Sequence, residues 1–292
     1  YMYEGDLNYL REQQEYMRAL LRVLASQMDG DRENLQGGQR LLDWPTSQMP
    51  DVIHAGYQAL MVMAMEAGAE IGGWLGDRQM QSECHGALRR LRRHVPDHLR
   101  NKQAAAMLVL AGLADPGKVC RTVIARGGAE GFSTFYGYYM LEALAEGGLY
   151  DEALQIISDY WGAMLDLGAT TFWEDLNYAH AAGAARIDEP VPAGKFDIHA
   201  ESGAYCYKGL RHSLCHGWAS GPTPWLSRHV LGIVPLEPGC KSVAVRPHLG
   251  HLKWAEGTFP TPWGVIRVRH ERGADGKVST SVSAPDGVRV VR

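Results

Sequence analysis

The spacing of apolar residues changes character once along this chain, near Gly232, and that change sets what it can fold into. Before it, apolar side chains recur at steps of three and four, which places them on one face of a helix. After it, the stretches SVAVRP, GVIRVRHE, KVSTSVS and GVRVVR alternate apolar with polar residues, as strands with one buried face do. The chain therefore divides into a helical part, residues 1–233, and a closing β module, residues 234–292. Ala274, Asp275, Gly276 and Lys277 supply a hairpin turn, because glycine accepts a positive φ without strain.

The helical part contains two kinds of helix. Leu7, Leu10, Met17, Leu21 and Leu24 line one face, with Arg11, Glu15, Arg18 and Arg22 opposite, which describes an amphipathic outer helix. Ile53, Tyr57, Leu60, Ala64 and Ile71 repeat the spacing, but Val52, Val62, Met63 and Met65 make this second helix apolar nearly all round. It must be covered on most sides. Further helices are expected at 78–94, 101–113, 117–125, 133–146, 151–165 and 213–231. Tyr150, Leu154, Ile157, Trp161 and Met164 give one of these its core face, and Asp151 and Glu152 favour its positive N-terminal end. Alternating exposed and buried helices joined by short loops suggest stacked hairpins in a double ring or a solenoid. No fixed-period repeat is visible, which favours the ring.

Composition narrows the partners. With 29 Lys and Arg against 33 Asp and Glu, the net charge of -4 provides no broad basic surface for nucleic acid. The run LRRLRRH, 88–94, reads as the solvated face of a helix. The most apolar run, 104–114, is shorter than the roughly 20 residues a membrane span needs. Cys84, Cys120, Cys206, Cys215 and Cys240 are odd in number and contain no CxxC pair, so they are expected reduced, without a disulfide framework or zinc knuckle.

Among possible chemical signals, His212, Cys215 and His216 would share one helical turn, yet no further ligand follows at a metal-site spacing, so no metal is expected. GWASG around Ser220 departs from GxSxG and no parallel strand precedes it. GGAEGF, 127–132, lacks the Gly-Lys-Ser/Thr ending of a phosphate loop. What remains is aromatic rings beside carboxylates and an imidazole at helix ends: Asp43 with Trp44, Phe132 with Tyr136, Trp173 with Glu174, and His216 with Trp218. Such groups suit the C–H face and hydroxyls of a sugar; a single one of these tryptophans reads rather as packing a seam between helices, and only for Trp173 with Glu174 do the two readings balance.

At GATTFWED, 168–175, and RHSLCHGWASGPTPWLSRHVLGI, 211–233, the chain resembles the α-L-rhamnosidases of glycoside hydrolase family 78. EPGCKSVAVRPHLGHLKWAEGTFPTPWGVIRVRH, 237–270, is similar to the entry of that family's terminal β domain, and DWP at Asp43 and LGD ending at Asp77 are similar too. The resemblance implies a mainly α fold: part of an (α/α)6 barrel of the six-hairpin glycosidase type, then a small antiparallel β-sandwich. It implies an inverting glycosidase acting on terminal α-L-rhamnosyl or related deoxy-sugar residues, without a cofactor. Glu174 would be the general base, His216 a substrate contact, and Asp43, Trp44, Trp173, Phe132 and Tyr136 would hold the sugar. The family's general acid lies in an acidic segment that has no counterpart here. The chain would thus be the later part of a catalytic domain, completed by an upstream part of the same polypeptide. Two other classes share these features: a non-catalytic carbohydrate-binding or structural fragment, and an epimerase or lyase on a helical barrel.

Overall fold

The computed structural model describes residues 1–198 and 211–291. Its helices are α1 (Leu7–Ser26), α2 (Pro50–Leu75), α3 (Arg78–Leu91), α4 (Lys102–Leu110), α5 (Pro116–Val119), α6 (Gly137–Glu146), α7 (Tyr150–Asp166), α8 (Tyr178–Ala181) and α9 (Pro222–Trp225). Helices α5 and α9 each run on into a π-helical turn, Cys120–Ile124 and Leu226–Val230. Two compact units are present: residues 1–21, 68–82 and 223–292 form one, and residues 22–67 and 83–222 the other. No helix among the described residues is long and apolar enough to cross a membrane.

The larger unit carries the helical core. α2 is buried nearly all round, with Val52, Ile53, Ala55, Ala59, Met61, Val62 and Met65 at 5 % exposure or less. Leu60, expected on its core face, is instead exposed. α4 starts at Asn101, whose Oδ1 accepts the Ala104 N–H at 2.9 Å, and buries every residue from Gln103 to Val109. It packs on α6, which packs on α7. On α7 the buried positions Leu154, Tyr160, Trp161 and Met164 are a helical stripe, and two of them reach the loops beyond. The Tyr160 hydroxyl donates to the Leu176 carbonyl at 2.8 Å, and Trp161 Nε1–H donates to the Ala219 carbonyl at 2.9 Å. These two bonds fix the two chain stretches from which the site is built.

One expected helix is absent. Residues 213–231 do not form a continuous helix: a 3₁₀ turn at Gly217–Ala219 precedes the short α9. Pro222 and Pro224 lack N–H donors, and Gly221 passes so close to Tyr138 that an added Cβ would lie 2.7 Å from the tyrosine Cβ. His212, Cys215 and His216 therefore do not share a helical turn.

In the smaller unit, Asp77 joins α2 to α3. Its Oδ1 caps α3 by accepting the Met80 N–H at 3.0 Å, while Oδ2 accepts from Gln14 and from the Arg18 guanidinium on α1. The Met80 amide and these side chains hold its carboxyl down at about 2. The LGD similarity thus marks a structural junction.

The strands of this unit are β3 (Ile233–Pro235), β4 (Ser242–Val245), β5 (Trp254–Thr261), β6 (Gly264–Arg272), β7 (Val278–Ser283) and β8 (Arg289–Val291). They follow a two-stranded ribbon in the larger unit, β1 (Met28–Asp29) and β2 (Arg32–Glu33). One sheet has the order β3-β4-β8 and the other β5-β6-β7. Pairing is antiparallel except between β4 and β8, which run parallel. Ile233, Cys240, Val243, Val245, Ile266 and Val268 form the shared core. The expected turn closes β6 onto β7: Gly276 has φ 81°, and the Gly273 N–H donates to the Lys277 carbonyl at 2.9 Å. β5 has no counterpart among the expected strands, because Gly257 and Pro260 break its apolar alternation. Gly257 is required there, since a Cβ would meet Leu231 Cδ1 at 2.4 Å.

Candidate active site

The site lies within the larger unit, where two extended stretches run side by side. The Glu174 N–H donates to the Ser213 carbonyl at 2.9 Å and the His216 N–H to the Phe172 carbonyl at 2.8 Å. The Thr171 hydroxyl donates to the Leu214 carbonyl. This pairing carries Glu174 and His216, 42 positions apart in sequence, to within 3.9 Å: His216 Nδ1 to Glu174 Oε2. The Glu174 side chain is 9 % exposed and that of His216 30 %. Oε2 also accepts the Ser213 N–H at 2.9 Å. Hydrogen bonds to one carboxylate oxygen fix the group's orientation and leave the other oxygen to act as a base.

A second segment, 132–136, ties the Glu174 backbone to Asp43. The Thr134 hydroxyl donates to the Glu174 carbonyl, and its neighbour Ser133 donates its hydroxyl to Asp43 Oδ2 at 2.6 Å. Gln103 on α4 donates to the same oxygen at 3.3 Å, and Asp43 Oδ1 caps the 3₁₀ turn Trp44–Thr46 by accepting the Trp44 N–H at 2.9 Å. Asp43 is buried, and burial raises its pKa against the lowering effect of the Ser133, Trp44 and Gln103 hydrogen bonds. Tyr136, also buried, has its hydroxyl pKa raised by burial first and by the Asp43 charge next.

The aromatic groups sort into two sets. Trp173 is 1 % exposed, Tyr136 5 % and Phe132 6 %, so their rings form the packed wall behind the carboxylates. Trp44 is half-buried. His216 packs on Trp218 with ring centroids 4.3 Å apart, and Trp218 stacks on Phe135 at 5.4 Å and 18° while its Nε1–H donates to the Glu174 carbonyl at 2.9 Å. Phe135 is 37 % exposed. His216, Trp218 and Phe135 thus make a partly open aromatic face beside Glu174. Ser133, Thr134 and Phe135 carry no sequence signal of their own, since they read as the opening of a helix; α6 in fact begins at Gly137.

His216 also borders an apolar cavity of about 450 Å³, with Trp161, Met164, Phe172, Cys215 and Gly217. Cys84, Cys120, Cys215 and Cys240 are free thiols. Among the described residues no group of three or more His, Cys, Asp or Glu side chains could hold a metal ion. Cys206 lies outside the described residues.

Asp175 is the group whose role the sequence hides most. Its backbone N–H donates to His212 Nε2 at 3.1 Å. Burial, and then the charges of Asp43 and Glu174, push its carboxyl up to about 6, against the Leu176 N–H bond that lowers it. A carboxyl that binds its proton more tightly when folded stabilises the fold below its unfolded pKa. That contribution is lost as the pH rises from about 4 through about 6. Asp175→Asn, which cannot ionise but can still accept the Leu176 N–H, should flatten this loss. At pH 7.5 the variant should be more stable than the native chain by on the order of 2–3 kcal/mol, with little difference at pH 4. Urea unfolding at both pH values checks this; parallel pH profiles would show that Asp175 ionises freely.

Against known proteins, residues 232–291 match the family model of the bacterial alpha-L-rhamnosidase C-terminal domain. No curated protein matches the chain. Among solved structures it is similar to the α-L-rhamnosidase of Streptomyces avermitilis complexed with L-rhamnose, with TM-score 0.75 and 21 % identity over 99 % of this chain and 28 % of that one. The GH78 family rhamnosidase of Bacillus sp. GL1 gives TM-score 0.75 and 21 % identity, covering 99 % and 31 %. The Aspergillus terreus α-L-rhamnosidase gives 0.75 and 16 %, covering 99 % and 34 %. The chain has the fold of part of these proteins and spans about a third of their length or less.

Proposed function

We propose that this chain is the later part of an inverting α-L-rhamnosidase-type glycosidase, with residues 1–233 belonging to its (α/α)6 catalytic domain and residues 234–292 forming a C-terminal β domain. The observation that carries the reading is Glu174. It is a nearly buried carboxylate, oriented through one oxygen by the Ser213 N–H, beside the open ring face of His216, Trp218 and Phe135. Glu174 acts as general base: it takes a proton from a water that attacks the anomeric carbon, while an acid protonates the leaving oxygen. His216 and Trp44, both half-buried, touch the sugar; Asp43, Phe132, Tyr136 and Trp173 form the wall behind it.

Inversion requires an acid and a base whose carboxyl groups stand roughly 6.5–9.5 Å apart, leaving room for the water. The acid is proposed to come from an upstream part of the same polypeptide. An uncovered face of α1 is consistent with such a partner. Tyr9, Tyr16, Leu20 and Val23, spaced along one side of it, are 58 %, 67 %, 43 % and 53 % exposed.

The test is an aryl α-L-rhamnoside, offered to the longer protein and to residues 1–292 alone, with the released sugar followed by NMR. The longer protein should release the inverted anomer first, and residues 1–292 should show no turnover. Retained configuration or an unsaturated product from the longer protein would sink the mechanism. Turnover by residues 1–292 would place the acid inside this chain, with Asp43 and Asp175 the first candidates.

A further inference from the structure

We propose that the depression between the start of α4 and the loop 126–131 is an anion subsite that takes the carboxylate of a sugar acid. It is a cavity of about 390 Å³ lined by Arg100, Lys102, Thr122, Val123, Arg126 and Glu130, with cations outnumbering the carboxylate. Neither the Arg100 nor the Arg126 guanidinium has a hydrogen-bond or ion-pair partner among the described residues. Free guanidinium forks are the groups best shaped to take a carboxylate bidentately.

Lys102 stands at the inner end of this depression. Its Nζ donates to the Gly128 carbonyl at 2.8 Å and lies 5.1 Å from the centre of the Phe132 ring. Its stem crosses Gly131, where a Cβ would touch Cδ and Cε at 3.7 and 3.8 Å. One carbonyl and one ring face leave the ammonium with unused donors, and burial brings its pKa down to about 8. The Glu130 charge opposes that shift only in part. A bound anion would supply the missing countercharge. The cavity falls within the roughly 300–1,000 Å³ of small-molecule pockets, larger than an inorganic oxyanion needs, and Val123 offers an apolar wall for a pyranose C–H face.

The depression adjoins the candidate active site through its own residues. Lys102 is followed by Gln103, which donates to Asp43, and Phe132 by Ser133, which does the same. The choice of a sugar acid over other anions rests on the proposed glycosidase function, whereas the anion pocket itself does not.

The experiment is a titration of residues 1–292 at low ionic strength with D-galacturonate, D-galactose and inorganic phosphate, read by NMR shifts that include Lys102 Cε. Galacturonate should bind saturably and raise the Lys102 pKa above about 8. Galactose should not bind, and phosphate should bind more weakly than galacturonate. Arg126→Ala and Arg100→Gly should each weaken binding about tenfold or more, and added salt should weaken it further. Glycine is chosen at position 100 because φ there is 57°, a conformation it accepts without strain. Galactose binding as well as galacturonate, or both variants binding like the native chain, overturns the anion pocket. Phosphate binding as tightly as galacturonate overturns the sugar-acid assignment. Since the assay reads binding and not turnover, it can fail while the glycosidase reading stands, and the reverse.

Discussion

In the longer protein, Glu174→Gln should lower kcat by about 10² to 10⁴ and leave KM within a few-fold of the native value. The amide preserves shape and can still accept the Ser213 N–H through its oxygen, the contact that Oε2 makes at 2.9 Å. Satisfying that contact turns the NH₂ group toward the position from which the carboxylate would take a proton. The variant then offers water a donor where it needs an acceptor. The loss corresponds to roughly 2.7–5.5 kcal/mol of transition-state stabilisation, the scale of a removed base and larger than that of a lost sugar contact. His216→Ala, by contrast, should act mainly on KM, because His216 is half-exposed and borders the ring face rather than holding the proton acceptor. Steady-state kinetics on an aryl α-L-rhamnoside separate the two. An unchanged kcat in Glu174→Gln would move the base elsewhere, and Asp175, with its carboxyl at about 6, would be examined first.

Much of the fold was legible because periodicity reports which face is buried. The stripe Leu154, Trp161 and Met164 on α7 and the turn at Gly276 follow from residue type and spacing alone. The helix expected over 213–231 shows the limit of that reading. Its apolar spacing is helical, but two prolines and the close pass of Gly221 against Tyr138 stop the backbone from following it. β5 was hidden for the opposite reason, since glycine and proline inside it suppress the alternation that marks a strand.

The same logic applies to the site. Glu174 and His216 stand out in the sequence as an acid beside one tryptophan and an imidazole near another. Ser133 and Thr134 do not. Their hydroxyls bond to Asp43 and to the Glu174 carbonyl, 90 and 40 positions away in sequence, and no local pattern marks such distant partners. The surroundings of Asp175 could not be read either, because its backbone N–H bonds to His212, 37 positions away, and no local pattern marks that contact.

Trp173→Ala should be among the most damaging single changes to stability, costing about 3–5 kcal/mol and lowering Tm by roughly 10 °C. Trp173 is 1 % exposed and ranks among the largest fully buried side chains, so its removal leaves a cavity that a packed interior fills only in part. The damage should reach catalysis as well. Glu174 follows directly in the chain, and its orientation relies on the pairing of residues 172–174 with 213–216, in the middle of which Trp173 sits. Trp173→Phe separates the two roles open to a tryptophan here. If the ring is packed wall, Phe should cost less stability than Ala, and kcat should fall in step with the stability loss while KM changes little. If the ring instead faces the sugar, Phe should raise KM with almost no change in Tm. Thermal unfolding and steady-state kinetics on the same two variants decide between these, and at 1 % exposure the first outcome is the one expected.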